Sequence, residues 1–164
     1  MEYTHYYDSP LGRIMLAADG QALTGLWFEG QKYFAAKLDQ NHEQKELPVF
    51  GQTKDWLNIY FGGRKPAFTP PLSMKGTPFQ KEVWEALLAI PYGCTTTYAK
   101  IAAAIAKNRG ITSMSAQAVG SAVARNPISL IVPCHRVVGS DGSLTGYAGG
   151  LEKKEWLLAM ERQA

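Results

Sequence analysis

The segment spanning residues 64–76, RKPAFTPPLSMKG, constrains the chain most. It holds three prolines, Pro66, Pro70 and Pro71. Each fixes φ, removes an amide hydrogen and biases the residue before it toward extended backbone, so no helix can run through the segment. An extended connection is the form that remains, and a domain boundary fits there. At 164 residues and 46% hydrophobic content the chain can bury a real core as one ordinary domain or two small ones. The expected division is a small strand-helix domain over residues 1–72 and a second domain over residues 73–164.

Before the boundary the chain reads as strands. The stretch THYYDSPLGRIMLAADGQALTGLWF has apolar-rich runs broken by DSPLG and by Asp19-Gly20, the latter a two-residue hairpin signal between RIMLAA and QALTGLWF. A helix is expected from Lys32 to Leu38, then the polar stretch DQNHEQKE as a loop. A second helix is expected in VFGQTKDWLNIYF, ended by Gly62-Gly63.

After the boundary helices dominate. Thr77, Pro78 and Gln80 supply an N-cap, a proline at the first helical position and a capping-box glutamine, and Phe79, Val83, Leu87 with Trp84 and Leu88 repeat at helical spacing until Pro91. Another helix starts near Thr97, with Tyr98, Ile101, Ala102 and Ile105 on one buried stripe. After the Gly-containing connection KNRGITSM comes a third, SAQAVGSAVARN, whose exposed positions must come from Gln117, Ala118, Ser121, Ala122 and Arg125. Ala-rich helices are usually close-packing core helices. Two short helices joined by a turn nevertheless make a helix-turn-helix outline, and the small face suits close approach to a groove.

Composition removes several classes. No stretch approaches twenty uninterrupted apolar residues, and the N-terminus MEYTHYYDSPLG lacks a basic segment followed by an apolar one, so neither a membrane span nor a signal peptide is read and a cytoplasmic setting is expected. There both thiols, Cys94 and Cys134, stay reduced. Two cysteines are too few for a usual zinc site, and His5, His42 and His135 show no ligand spacing around them, so no metal is expected. The net charge of +3 permits an anionic partner without demanding one.

Cys94 reads as a small buried hydrophobe. Cys134 differs, because ISLIV reads as a buried strand, Pro133 ends its hydrogen bonding, and Cys134, His135 and Arg136 sit where the strand gives out. A thiol is a weak nucleophile that a nearby imidazole can deprotonate. Neighbouring side chains on extended backbone point to opposite sides, so His135 reaches the sulfur only if the chain turns or a water bridges them. A third group should orient the imidazole, and Glu152, Glu155 and Glu161 are the acidic candidates. Spacing alone does not choose among them.

Taken in order, GTPFQKEVW, IPYGCTTTYAKIA, AVGSAVARNPISLIVPCHRVVG and GYAGGLEKKEWLLAMER closely resemble the O6-alkylguanine-DNA alkyltransferases, or methylated-DNA-protein-cysteine methyltransferases. The resemblance covers about residues 76–161, and the first third matches only in character. It implies an α/β N-terminal domain resembling ribonuclease H, a small antiparallel sheet plus helices, followed by a mainly α C-terminal domain with a winged-helix-like helix-turn-helix. It further implies that Cys134 attacks the alkyl carbon on O6 of guanine, or on O4 of thymine, that His135 takes the thiol proton through a water, and that Glu161 orients His135. Tyr98 matches the tyrosine contacting guanine N3, and Asn126 the asparagine tying the recognition helix to the active-site strand. Arg136 matches an arginine that pairs with an acidic or backbone group.

The base pocket follows from the same resemblance. Tyr147 matches the aromatic packing on the flipped guanine, the Ala148 amide the donor to O6, and the carbonyls of Cys134 and Val137 the acceptors for the guanine amine. Gly146, Gly149 and Gly150 permit tight turns, and Ser129 lies where some relatives have a proline in the pocket wall. Extrusion of the base is required because O6 lies inside the duplex. Family members put the second helix of the helix-turn-helix in the minor groove, which accounts for the small residues around Ala118, Ser121 and Ala122. Gln117 stands where most relatives carry an arginine that fills the gap left by the base, and Arg109 or Arg125 are the alternatives for that role. The expected partner is double-stranded DNA containing O6-alkylguanine, bound by a monomer with no cofactor. Two rivals remain: an alkyltransferase-like protein that binds damage without transfer, which lacks the acceptor cysteine present here, and a Cys-His hydrolase, for which no oxyanion hole is recognisable.

Overall fold

The computed structural model describes residues 1–163. Strands β1 (Glu2–Ser9), β2 (Gly12–Ala18) and β3 (Leu23–Phe28) form an antiparallel meander, and β4 (His42–Gln44) adds to β1 in parallel, giving the order β3-β2-β1-β4. The sheet is therefore mixed rather than antiparallel throughout, and β4 lies in the stretch expected to be loop. The hairpin at Asp19-Gly20 is present but its loop holds four residues, 19–22. Asp19 Oδ1 accepts from the amides of Gln21 and Ala22 at 3.0 and 2.9 Å, so the aspartate builds the turn with its own side chain.

Alternation along β2 sends Ile14, Leu16 and Ala18 toward helix α1 (Pro48–Phe61) and sends Met15 and Ala17 to the opposite face with Trp27. That second face explains a correction. Residues 32–38 are not helical; they run as successive turns with Tyr33 and Ala35 at positive φ, which sets Ala35 and Leu38 over Met15, Ala17 and Trp27. Covering the sheet outweighs helical propensity in so short a segment.

The second half contains α2 (Pro78–Leu88), β5 (Thr96–Thr97), α3 (Tyr98–Arg109), α4 (Ala116–Ala124), β6 (Val137–Val138) and α5 (Leu151–Arg162). Thr77 and Gln80 make the expected capping box on α2, Thr97 and Ser115 cap α3 and α4, and Gly110 ends α3 at φ +68°. The indole of Trp84 donates to the Ala122 carbonyl at 2.8 Å and pins α4 to α2. A parallel β5–β6 pair, not foreseen, joins the start of α3 to the segment after His135 and Arg136.

One core runs through both halves. The outer edge of β3 is covered by the proline segment, with the Leu23 amide donating to Pro71 at 2.8 Å, and by the chain after α4, with the Leu26 amide donating to Pro127 at 2.9 Å. An exposed edge is thereby closed. The stretch 128–132 is the second correction. It makes a single bridge at Ile128 and then turns, with Leu130 at φ +71°. Pro127 and Pro133 bound it, and Asn126 supplies the bonds a neighbouring strand would have given: its Oδ1 accepts from the Ile128 amide at 3.0 Å and its Nδ2 donates to the Val132 carbonyl at 2.8 Å. Cys134 consequently leaves a compact loop, not a strand end.

Replacing Asn126 with alanine strands the buried Ile128 amide, at about 1–3 kcal/mol, while the Val132 carbonyl keeps its bond from the Cys134 amide at 2.8 Å. The unfolding free energy of Asn126→Ala from urea titration should fall by that amount at unchanged slope, whereas a midpoint equal to that of the parent contradicts the role given to the side chain.

Candidate active site

Helix α5 follows Gly150, which takes φ +99°, and buries Lys154, Leu157, Leu158 and Glu161 at i, i+3, i+4 and i+7. Two charged groups are thus driven inward on an apolar stripe. Glu152 and Glu155 face solvent. The stripe chooses Glu161 among the acidic candidates, and its spacing is readable in the sequence.

Glu161 receives five hydrogen bonds. Oε2 accepts from His135 Nε2 at 2.6 Å, the Tyr60 hydroxyl at 2.6 Å and Arg136 Nη2 at 3.2 Å, while Oε1 accepts from Arg136 Nε at 2.8 Å and the Gly93 amide at 3.1 Å. Burial alone raises a carboxyl; the hydrogen bond from His135, then those from Arg136 and Tyr60, more than reverse this and hold Glu161 at about 2. A carboxylate can only accept, so Nε2 of His135 carries its proton and Nδ1 is left with the lone pair. Nδ1 is buried and has no partner among the described residues. Burial lowers the affinity of His135 for a second proton, against the opposing pull of Glu161, and Arg136 and Lys154 lower it further. The imidazole is a neutral base with a free nitrogen. Arg136 completes the knot by donating Nη1 to the Ile90 carbonyl at 2.8 Å.

Cys134 and His135 share a 3-10 turn, Cys134–Arg136, so the chain does turn where extended backbone would have parted them. Cys134 is free and 5% exposed. Burial raises its thiol above the ordinary value, opposed by the Asn126 amide and the charge of Lys154. Lys154 escaped the sequence reading. It is fully buried, donates Nζ to the carbonyls of Val137 at 2.5 Å and Thr145 at 2.7 Å, and is brought by burial down to about 8, a fall that the Cys134 sulfur opposes once it is ionised.

The other residues expected to line a base pocket lie nearby. Tyr98 donates to the Thr145 carbonyl at 3.1 Å, and Tyr147 stands edge-on to His135 at 6.5 Å with its hydroxyl buried and unpartnered among the described residues. Gly149 is required beneath that ring, because a Cβ there meets Tyr147 Cε2 at 2.8 Å. The Ala148 carbonyl accepts from the Lys32 amide at 3.0 Å, so the N-terminal half holds this loop in place. The carbonyls of Cys134 and Val137 already accept from the Val137 amide and Lys154, each keeping a second lone pair for a ligand. Ser129 is buried in the Asn126-bounded loop, its amide donating to Leu26 at 3.0 Å.

On α4, Gln117, Ala118 and Ser121 are exposed. Ala122 is not: it turns inward against Trp84, which corrects its placement on the open face. Arg125 lies over the Tyr33 ring, 4.5 Å from its centroid, and Arg109 bonds Glu82 at 2.6 and 2.9 Å. Cys94 is exposed in the turn after Pro91, which corrects the expectation that it is buried.

Residues 78–163 match the family model described as 6-O-methylguanine DNA methyltransferase, DNA binding domain, and residues 2–74 match that of its ribonuclease-like domain. The chain belongs to the 6-O-methylguanine DNA methyltransferase family. It is 42% identical over 161 residues to the methylated-DNA-protein-cysteine methyltransferase of Haemophilus influenzae, spanning 98% of this chain and 86% of that one. It is 46% identical over 160 residues to that of Methanosarcina barkeri, spanning 95% and 96%. Among solved structures, Mycobacterium tuberculosis OGT in complex with DNA superposes with a TM-score of 0.83 at 41% identity, over 98% of this chain and 93% of that one. An O6-methylguanine DNA methyltransferase from Methanococcus jannaschii gives 0.66 at 28% identity, over 98% and 94%. Methyltransferase-family likeness therefore extends over both halves, including the N-terminal third where the motifs were silent.

Both members of the buried pair make this methyltransferase-family fold acid-labile. His135 lies below its ordinary 6.5, so the unfolded chain takes up that proton first and stability falls as pH drops below about 6.5. Glu161 lies at about 2 against an ordinary 4.5, so its contribution is complete above about 4.5 and disappears as pH falls through about 2. Urea midpoints measured from pH 7 to pH 3 should decline in that order, and His135→Gln should lose the upper phase. An unchanged upper phase in that variant contradicts the neutral, buried state assigned to His135.

Proposed function

We propose that this protein repairs DNA by moving an alkyl group from O6 of guanine, or O4 of thymine, to its own Cys134, once per molecule. The observation that carries the reading is the free Nδ1 of buried His135, locked from behind by Glu161 beside the Cys134 thiol. In the step itself the sulfur–carbon bond forms as the carbon–O6 bond breaks, its electron pair departing into the guanine ring. A water hydrogen-bonded to Nδ1 carries the thiol proton to His135. Tyr98 turns its hydroxyl from the Thr145 carbonyl to guanine N3 and stabilises the leaving base. Tyr147 packs on that base, the Ala148 amide faces O6, and the carbonyls of Cys134 and Val137 accept from its amine. Nothing in this scheme hydrolyses the thioether, so the acceptor is spent, as in a methylated-DNA-protein-cysteine S-methyltransferase acting as its own substrate.

Because the thiol is raised by burial, it waits as a neutral group and gives up its proton only as the alkyl carbon arrives. The target base reaches it by flipping out of a duplex held in the minor groove by α4. Gln117, Ala118 and Ser121 form the approaching face, with Arg125 and Arg109 at its margins. Gln117 fills the vacancy left by the base; the engagement of Arg125 with Tyr33 and of Arg109 with Glu82 supports glutamine rather than either arginine. In the proposed division of labour, residues 73–164 hold the DNA and the acceptor and residues 1–72 buttress them, in a cytoplasmic monomer that needs no cofactor. Ser129 in the pocket wall bears on how bulky an alkyl group is admitted.

Intact-mass spectrometry after incubation with O6-methylguanine duplex tests the reading. One methyl group should appear on Cys134, none on Cys134→Ser, and Cys94→Ser should take up the methyl normally. Tight DNA binding with unchanged mass points instead to a protein that only recognises damage. For Gln117, the alanine variant should slow repair of duplex much more than reaction with a free-base substrate that needs no flipping; equal slowing of both removes it from that role.

A further inference from the structure

The relay includes a group from the other half of the chain. Tyr60 lies on α1, is fully buried, and points its hydroxyl into the site, donating to Glu161 Oε2 at 2.6 Å and lying 3.2 Å from His135 Nε2. Its ring is fixed by stacking on Trp56 at 5.1 Å and by edge contacts with Phe61 at 5.5 Å, Tyr92 at 6.2 Å and His135 at 6.3 Å. A hydroxyl on so constrained a ring has one place to go. It goes to the same carboxylate oxygen that orients the imidazole.

Oxygen Oε2 thus serves three donors, Tyr60, His135 and Arg136, where a carboxylate oxygen has about two lone pairs to offer. The bonds compete, so a stronger bond from Tyr60 leaves less negative charge for His135. We infer that Tyr60 is a positioning residue for alkyl transfer: by sharing Glu161 Oε2 with His135, it keeps the imidazole in its proton-accepting form. The inference rests on the reading of Cys134 and His135 proposed above. Tyr60 itself transfers no proton, since burial, reinforced by the charge of Glu161 and their hydrogen bond, pushes its hydroxyl far above the range in which it ionises. The other titratable or charged groups around His135 are Glu161 and Lys154 on α5, Arg136 and Cys134 in its own turn, and Tyr147 and Tyr92 from the flanking loops. Among the tyrosines, Tyr60 is the one bonded to the orienting oxygen.

The test is the pH dependence of single-turnover methyl transfer at saturating O6-methylguanine duplex, for the parent protein, for Tyr60→Phe, and for protein carrying 3-fluorotyrosine at position 60. Loss of the donor returns charge to Glu161 and makes His135 more basic. In Tyr60→Phe the acid limb should therefore move up by about half to one pH unit, with a three- to tenfold slower rate below it, the same change read on the rate axis. Duplex affinity should stay that of the parent. Fluorotyrosine is a stronger donor on the same ring and should move the limb down. Profiles that superpose on the parent for both variants, with only the melting temperature of Tyr60→Phe altered, overturn the inference. Should Tyr60→Phe fail to fold, the fluorotyrosine profile decides alone, and no downward shift overturns it. Absence of methyl uptake by the parent protein, by contrast, removes the functional reading itself.

Discussion

A single buried carboxylate holds this protein's site together. Glu161 is 2% exposed, and a bare charge in that position costs many kcal/mol. It is tolerable because α1, the glycine turn after α2, and the Cys134–Arg136 turn each send a donor to it. The dependence runs both ways: deleting one partner leaves charge uncompensated, which is the costly change at a buried ion pair. The carboxylate therefore ties an element of the N-terminal half to the orientation of His135. The Asn126-bounded loop and the Lys154 bonds to Val137 and Thr145 fix the other side of the thiol.

The resulting site is poised rather than activated. A thiol raised by burial faces an imidazole lowered by burial, so no charge separation exists at rest. Lys154 is the counterweight, a buried cation whose field favours the thiolate once the proton moves. Such an arrangement suits a group that reacts once and must not be wasted, because a neutral buried thiol is a poor target for oxidants.

Much of this was legible in the residues. The capping box at Thr77, the stripe of Tyr98, Ile101, Ala102 and Ile105, and the hairpin at Asp19 are local chemistry and appear where the sequence puts them. Glu161 and Lys154 share the inward stripe of Leu157 and Leu158, a signal that helical spacing carries and that the sequence reading did not use. Other features depend on partners distant in sequence. Residues 32–38 turn because the back of the sheet needs covering, and ISLIV folds into a loop because Asn126 bonds it to itself. Tyr60 looks like one more apolar-stripe residue of LNIYF; only the fold, across 101 residues of chain, shows that its hydroxyl meets Glu161. Cys94 kept no signal of its exposure, since a turn after proline can bury or expose a small side chain equally well.

The central claim is that Glu161 fixes His135 as a neutral imidazole protonated at Nε2 and open at Nδ1. Nitrogen-15 NMR of the three histidines, assigned by replacing His5 and His42, reads that state directly. At neutral pH, His135 should show one protonated nitrogen, Nε2, and one bare nitrogen, Nδ1, holding that pattern below pH 6.5. An imidazolium at neutral pH, or a proton on Nδ1 with Nε2 bare, contradicts the account.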